Sequence, residues 1–265
     1  MKKSLLLSTF SILALCLSAC QGTESTLASW ATSTPKTIKI YLNNAAVKIE
    51  GYNGNKVIIA TVGNYAPEHD ERAEGLSVLS SLGTDNTGKG IFMKQEHQEI
   101  ILHKVTRHQV DYRIKVPKNA QVILEETSWQ GHQQYEMAHL NGDVEVRTKN
   151  ADMYFTQVNG TIKARSTSGD AHLLFDQFKP GNSHDISLVS GSIDVTLPSN
   201  AQTDLVMKTT SGEIFTDFEF PQNNTTSASF DADDAGAKVR RSLNGGGSTT
   251  RLSTVSSNIY LRKKK

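Results

Sequence analysis

Cysteine is nearly absent from this chain: its 265 residues contain two, Cys16 and Cys20, both near the start. The rest of the protein has no thiol for a disulfide, a zinc site or a nucleophile. It must be held together by burial and backbone pairing. Net charge is also small. If a leader carrying Lys2 and Lys3 is removed, the 28 Lys and Arg become 26, against 27 Asp and Glu, or about −1 overall. Such a chain as a whole has no electrostatic drive toward nucleic acid. Signatures of catalysis are missing too. There is no Gly-x-Ser-x-Gly elbow and no phosphate-binding loop. His97, His103, His108, His132 and His139 fall at mixed spacing on expected strands, which is not a metal-ligand pattern. Residues 231–236, Asp-Ala-Asp-Asp-Ala-Gly, lack a ligand at the fifth position of a calcium loop, and the twelfth is Ser242 instead of Glu. The sequence assigns no metal, no cofactor and no catalytic residue.

What is present begins with an address. Lys2 and Lys3 precede an uncharged apolar run from Leu5 to Leu17, the length of a signal-peptide core and short for a membrane span. The run ends in Leu17-Ser18-Ala19-Cys20, which resembles the bacterial lipobox. That resemblance implies removal of residues 1–19, a lipid on the Cys20 thiol and acylation of the new N-terminus. Two or three acyl chains anchor a protein stably where one does so marginally. In enteric-type lipoprotein sorting, Asp after the cysteine retains the protein in the inner membrane; Gln21 points instead to the outer membrane. Residues 20–35 are rich in Ser and Thr without a period and read as a flexible tether to the domain.

From residue 36 the chain reads as strands. Thr37–Leu42, residues 45–52 and Lys56–Val62 alternate or run apolar, with Asn-rich turns between. Residues 64–110 are less patterned: segments at 75–82, 90–95 and 99–105 fit strands, and 68–82 also fits a short helix. Then a phrase recurs on a nine-residue beat: Asn141-Gly142, Asn150-Ala151, Asn159-Gly160, Ser168-Gly169. It returns at Ser190-Gly191 and Ser211-Gly212, and in degenerate form at Ser256–Leu261. Fixed-period self-similarity marks a repeat architecture. Nine residues make one short strand and one corner, so two units make a coil of about 18, stacked at about 4.8 Å. Glycine suits a corner that needs positive φ. Val144, Val146, Met153, Phe155, Ile162 and Ala164 would form a continuous inner stack, which no single coil could bury alone. The expectation is an all-β, single-domain, right-handed parallel β-solenoid with Asn/Ser-Gly corners. A β-sandwich also fits strands at this spacing, but has no reason to repeat its turn chemistry so strictly.

The phrases "IKVPKNAQVILEETS", "LNGDVEVRTKNADMYFTQVNGTIKARSTSGDAHLLF", "SGSIDVTLPSNAQTDLVMKTTSGEI" and "LNGGGSTTRLSTVSSNIYLRK" resemble the bacterial "putative adhesin" family, a domain of unknown function built of β-strand repeats. The resemblance spans roughly residues 36–263. It implies a right-handed parallel solenoid exposed in the envelope and names no ligand. Residues 129–140 depart from the pattern and read as a bulged loop.

Three roles remain open at this point. The leading one is a non-catalytic, envelope-anchored binding scaffold whose partner is the membrane through its lipid and an envelope glycan or protein through its solenoid face. Tyr135, Tyr154 and Phe155 are its candidate aromatics, Phe155 with a core alternative. The second is a polysaccharide-active enzyme using Asp143, Asp152 and Asp170, which recur at one step of the repeat and are expected to line one corner; two carboxylates at defined separation can act as acid and base. The third is an assembly or stress component acting through protein contacts. The basic end, Arg262–Lys265, is read either as a contact for anionic headgroups or as a cap blunting the last edge strand.

Overall fold

The structure, a computed structural model, describes residues 25–26, 36–63, 71–74, 82–129, 131–220 and 236–265. Its elements are β1 (Ser25–Thr26), β2 (Thr37–Leu42), β3 (Val47–Tyr52), β4 (Ile58–Val62), β5 (Ile91–Glu96), β6 (Glu99–Lys104), β7 (Asp111–Pro117), β8 (Gln121–Glu126), β9 (Gln133–Ala138), β10 (Val144–Thr156), β11 (Ile162–Ser168), β12 (Ala171–Leu174), β13 (His184–Ser190), β14 (Ile193–Leu197), β15 (Thr203–Thr209), β16 (Ile214–Thr216), β17 (Ala237–Leu243), β18 (Thr249–Thr254) and β19 (Ile259–Lys263), with one 3-10 turn at Glu71–Ala73.

The nine-residue beat builds what its period predicts. Val144 pairs in parallel with Ile162, and Met153 with Ala171, each 18 residues on. β10 runs around a corner, so Val144–Thr148 lies in one ladder and Ala151–Thr156 in the other. Each coil therefore contributes a strand to each of two faces. All six of the expected inner residues are buried, along with their counterparts in neighbouring coils. Burying each large aliphatic side chain contributes about 1.5–3 kcal/mol, a gain available only when another coil covers it.

The order of coils departs from the order of the chain. On the first face the strands run β5, β6, β2, β8, β10, β11, β13, β18, β15, β17. On the second they run β1, β4, β7, β3, β9, β10, β12, β14, β19, β16. The first full coil, β2 and β3, is thus inserted between the later β6–β7 and β8–β9 coils. The last coil, β18 and β19, is inserted between β13–β14 and β15–β16. The two Ser-Gly phrases about 21 residues apart, at Ser190 and Ser211, consequently do not stack on each other: β18 and β19 separate them. Antiparallel strands finish the stack, with β5 against β6 and β4 against β7 at one end and β17 against β15 at the other. β19 lies inside the second face, so its basic end is not the cap of an edge strand.

Two unsettled segments resolve into ordinary elements. Within residues 64–110, strands β5 and β6 form a hairpin closing the first face. Residues 64–70 and 75–81 lie outside the described residues. Residues 129–140, expected to bulge, contain β9, which pairs with β3 and β10 and buries Tyr135 and Met137. The pattern was masked by Gln133, buried where an aliphatic residue was expected.

The corner glycines have a cause beyond backbone freedom. Gly142 and Gly160 do not adopt positive φ. A Cβ at Gly160 would lie 2.2 Å from the Gly142 carbonyl oxygen, and one at Gly142 would lie 2.1 Å from that of Ala120. Glycine is required because corners stack backbone on backbone. At the opposite corner Gly169 and Gly191 meet both demands, with φ of 105° and 139° and the same close carbonyls.

Candidate binding faces

The polar residues of the repeat cross-link the coils. Asn141 donates from Nδ2 to Asn119 Oδ1 at 3.0 Å, and Asn159 donates to Asn141 Oδ1 at 2.9 Å, a ladder along one corner. The acids act likewise. Asp143 Oδ1 accepts from the Thr161 amide at 2.9 Å, Asp152 Oδ1 from the Asp170 amide at 2.8 Å, and Asp170 Oδ1 from the Ser192 amide at 2.7 Å. Asn258 does the same for the Glu213 amide. Since nine residues are half a coil, Asp152 and Asp170 share one corner while Asp143 sits at the other. The three do not form one row, and each has a carboxylate oxygen committed to a backbone amide of the next coil.

The histidines do not converge either. His103 stacks on Tyr41 with ring centroids 4.4 Å apart. His132 lies 3.0 Å from Asp152, which with Asn150 raises its pKa. His97 and His139 take positive φ at turns, and His108 gives its carbonyl to Lys104. Among the described residues no group of three His, Cys, Asp or Glu could hold a metal. Residues 231–235 and Cys20 lie outside the described residues.

Two buried titratable groups gave no sequence signal. Lys104 ends β6 and is 1% exposed; burial pushes its ammonium down to about 8. Its Nζ donates to Asn43 Oδ1 and to the carbonyls of Thr106 and His108, at 3.1, 2.9 and 2.6 Å. All three donors are used, so it pins a loop and has none left for a ligand. His184 is buried beside Phe175 and Phe178, and its Nδ1 accepts the Ile162 amide at 3.2 Å. Burial lowers its pKa to about 4, so it is a neutral acceptor at neutral pH.

What remains for ligands is the outside of the two faces. Outward residues lie in rows, one per coil. Across the second face the row reads Lys48, Glu136, Tyr154, His172, Asp194, Tyr260, Phe215. Tyr154 stacks on His172 at 4.8 Å and Phe215 on Tyr260 at 5.4 Å. Of the three expected aromatics, Tyr154 is on this surface, while Tyr135 and Phe155 are core. Arg262 pairs with Asp194 at 2.9 Å and lies over the Tyr260 ring, and Lys264 holds Asp176 at 2.5 Å, so the basic end is fastened to the stack. The largest hollows are open grooves of about 620 Å³ beside Lys36, Lys118 and Asn119, and about 560 Å³ beside Lys163, His184 and Arg251.

Stacked coils, cross-linked corners and flat outer rows define an all-β repeat protein that offers faces in place of a catalytic cleft. Residues 124–244 match the model of the Toastrack DUF4097 family, and the chain carries a domain of that family there. It is also similar to the structure of a "putative cell adhesion protein" from Clostridium sporogenes, at 9% identity over 92% of this chain and 100% of that one, with a TM-score of 0.45. A "putative adhesin" from Bacteroides fragilis is similar at 10% identity over 91% of this chain and 95% of that one, with a TM-score of 0.34. No curated protein sequence matches the chain.

Proposed function

We propose that this protein is a non-catalytic, envelope-anchored adhesin or binding scaffold, held by lipid on Cys20 at the outer membrane and presenting its coil faces to an extended polymer or protein partner. The observation carrying this reading is the surface order: outward side chains recur once per coil along flat faces, a spacing suited to a partner that is itself extended or repetitive. The coils are taken as right-handed, the sense in which nearly all parallel crossovers turn. The enzyme reading is weakened by the acids themselves, since Asp143, Asp152 and Asp170 spend their oxygens on corner amides.

Two experiments test it. Palmitate labelling of cells expressing the full chain should mark the protein, and Cys20→Ala should abolish the label and release the protein from membranes; an unlabelled wild type would remove the anchor. Full-length protein should retain an envelope component from sacculi, lipopolysaccharide, capsular glycan or envelope protein fractions. Mass analysis should show no glycan shortened; cleaved glycan would restore the enzyme.

A further inference from the structure

On the first face, two neighbouring rows differ sharply in their charge pattern. One row reads Glu145, Lys163, Asp185, Arg251 across four consecutive coils, alternating in sign. Each charge there has an opposite charge on the next rung and is satisfied within the protein. The adjacent row, two residues along each strand, reads Arg147, Arg165, Ser187, Ser253, Lys208, Lys238. It holds four cations, two hydroxyls and no acid. Arg147 stands directly beside Arg165, and Lys208 beside Lys238. Like charges in register are unfavourable for the sheet, so this row costs stability that the neighbouring row avoids.

Arg147 reaches back along its own strand to Glu145 at 2.6 Å, but Arg165 is exposed with cations or a serine on either side. Beside the serines, Val189 and Val255 are 51% and 44% exposed. The row therefore offers paired cations at each end, roughly 14 Å apart from Arg165 to Lys208 at the usual rung spacing, with hydroxyls and a small apolar surface between. A linear ligand lying along the stack would meet charge, then hydrogen-bonding and apolar contact, then charge.

We propose that this row binds a linear anionic glycan, one carrying carboxylate or phosphate groups along a sugar backbone, aligned with the stack axis. The proposal rests on the scaffold reading above and assigns its face and its ligand chemistry. Cations supply the long-range attraction, which salt screens. The guanidinium of Arg165 supplies bidentate contact to an acid group, and Ser187 and Ser253 meet sugar hydroxyls.

The test uses full-length protein in detergent and immobilised polygalacturonate, with dextran as the neutral glycan and phosphatidylglycerol vesicles as the anionic lipid surface. Wild type should bind polygalacturonate, more weakly as salt rises, and ignore dextran. The triple variant Arg147→Ser, Arg165→Ser, Lys238→Ser should lose about tenfold or more in affinity. It should melt no lower than wild type, because like-charge contacts are removed. Lys48→Ser, Arg113→Ser, Lys179→Ser, with the same charge change elsewhere, should bind within about twofold of wild type. Arg165→Gln alone, should the triple variant misfold, should show a partial loss. Equal losses in both triple variants, no loss in the first, or row-dependent binding to vesicles without polygalacturonate would overturn the proposal. A wild type that ignores polygalacturonate yet retains another envelope partner overturns the row and leaves the scaffold standing; one that retains nothing sinks the scaffold as well.

Discussion

At the scale of single residues, the repeat is dictated by contact distance more than by turn preference. Gly160 has an ordinary φ, yet a methyl there would press against the Gly142 carbonyl at 2.2 Å. Gly160→Ala should cost about 1–3 kcal/mol, as overpacking does. Urea denaturation would show it, and an unchanged midpoint would mean that the coils separate freely at this corner. His184 sets an acid limit. Its pKa is about 4 in the folded chain against 6.5 when free, so the unfolded chain takes up a proton first as pH falls. Stability present above pH 6.5 should drain away as pH approaches 4, by about 3 kcal/mol at most from this group. His184→Asn keeps an acceptor for the Ile162 amide but cannot titrate there. Its stability should be flatter between pH 6.5 and 4; an equal slope would place the acid sensitivity elsewhere.

At the scale of the element, the corner is the repeating device. One side-chain oxygen crosses to the amide of the next coil at Asp143, Asp152 and Asp170. Asp170→Ala should cost about 1 kcal/mol by leaving the Ser192 amide without its acceptor. Asp170→Asn should cost less, since an amide oxygen can accept the same bond. If both substitutions left stability intact, these acids would be free for another task. This level was largely legible in the sequence. The beat located the corners, and the alternation located Val144, Val146, Met153, Phe155, Ile162 and Ala164 as core. It was less legible wherever polar residues enter the interior. Gln133, Lys104 and His184 are buried through specific partners, and no periodicity announces such a partner. The charge row was hidden for a related reason: Arg147, Arg165, Ser187, Ser253, Lys208 and Lys238 become neighbours only through the stacking order.

At the scale of the whole molecule, that stacking order separates this chain from a simple solenoid. In a sequential stack each coil touches only its chain neighbours, and stability is close to a sum over units. Here both termini are threaded inward. Thr37 meets Gln121 across 84 residues, and Thr203 meets Thr250 across 47. The last coil fills a gap within the stack, where β18 alone joins β13 to β15 on the first face and β19 alone joins β14 to β16 on the second. Removing residues 249–265 should therefore do more than shorten the protein by one rung. It should expose the inner surfaces of β13–β14 and β15–β16 to each other across a missing layer. Hydrogen exchange followed by mass spectrometry should show protection lost from β15 through β17 and weakened in β13 and β14, with β8 to β10 least affected. In the intact chain the same connections should couple the C-terminal coils into one unfolding unit, so that β13, β15 and β18 exchange with one common midpoint in urea. Separate midpoints for these three strands would show that the inserted coil docks without binding its neighbours into a unit, and the stack would then behave as a row of independent layers.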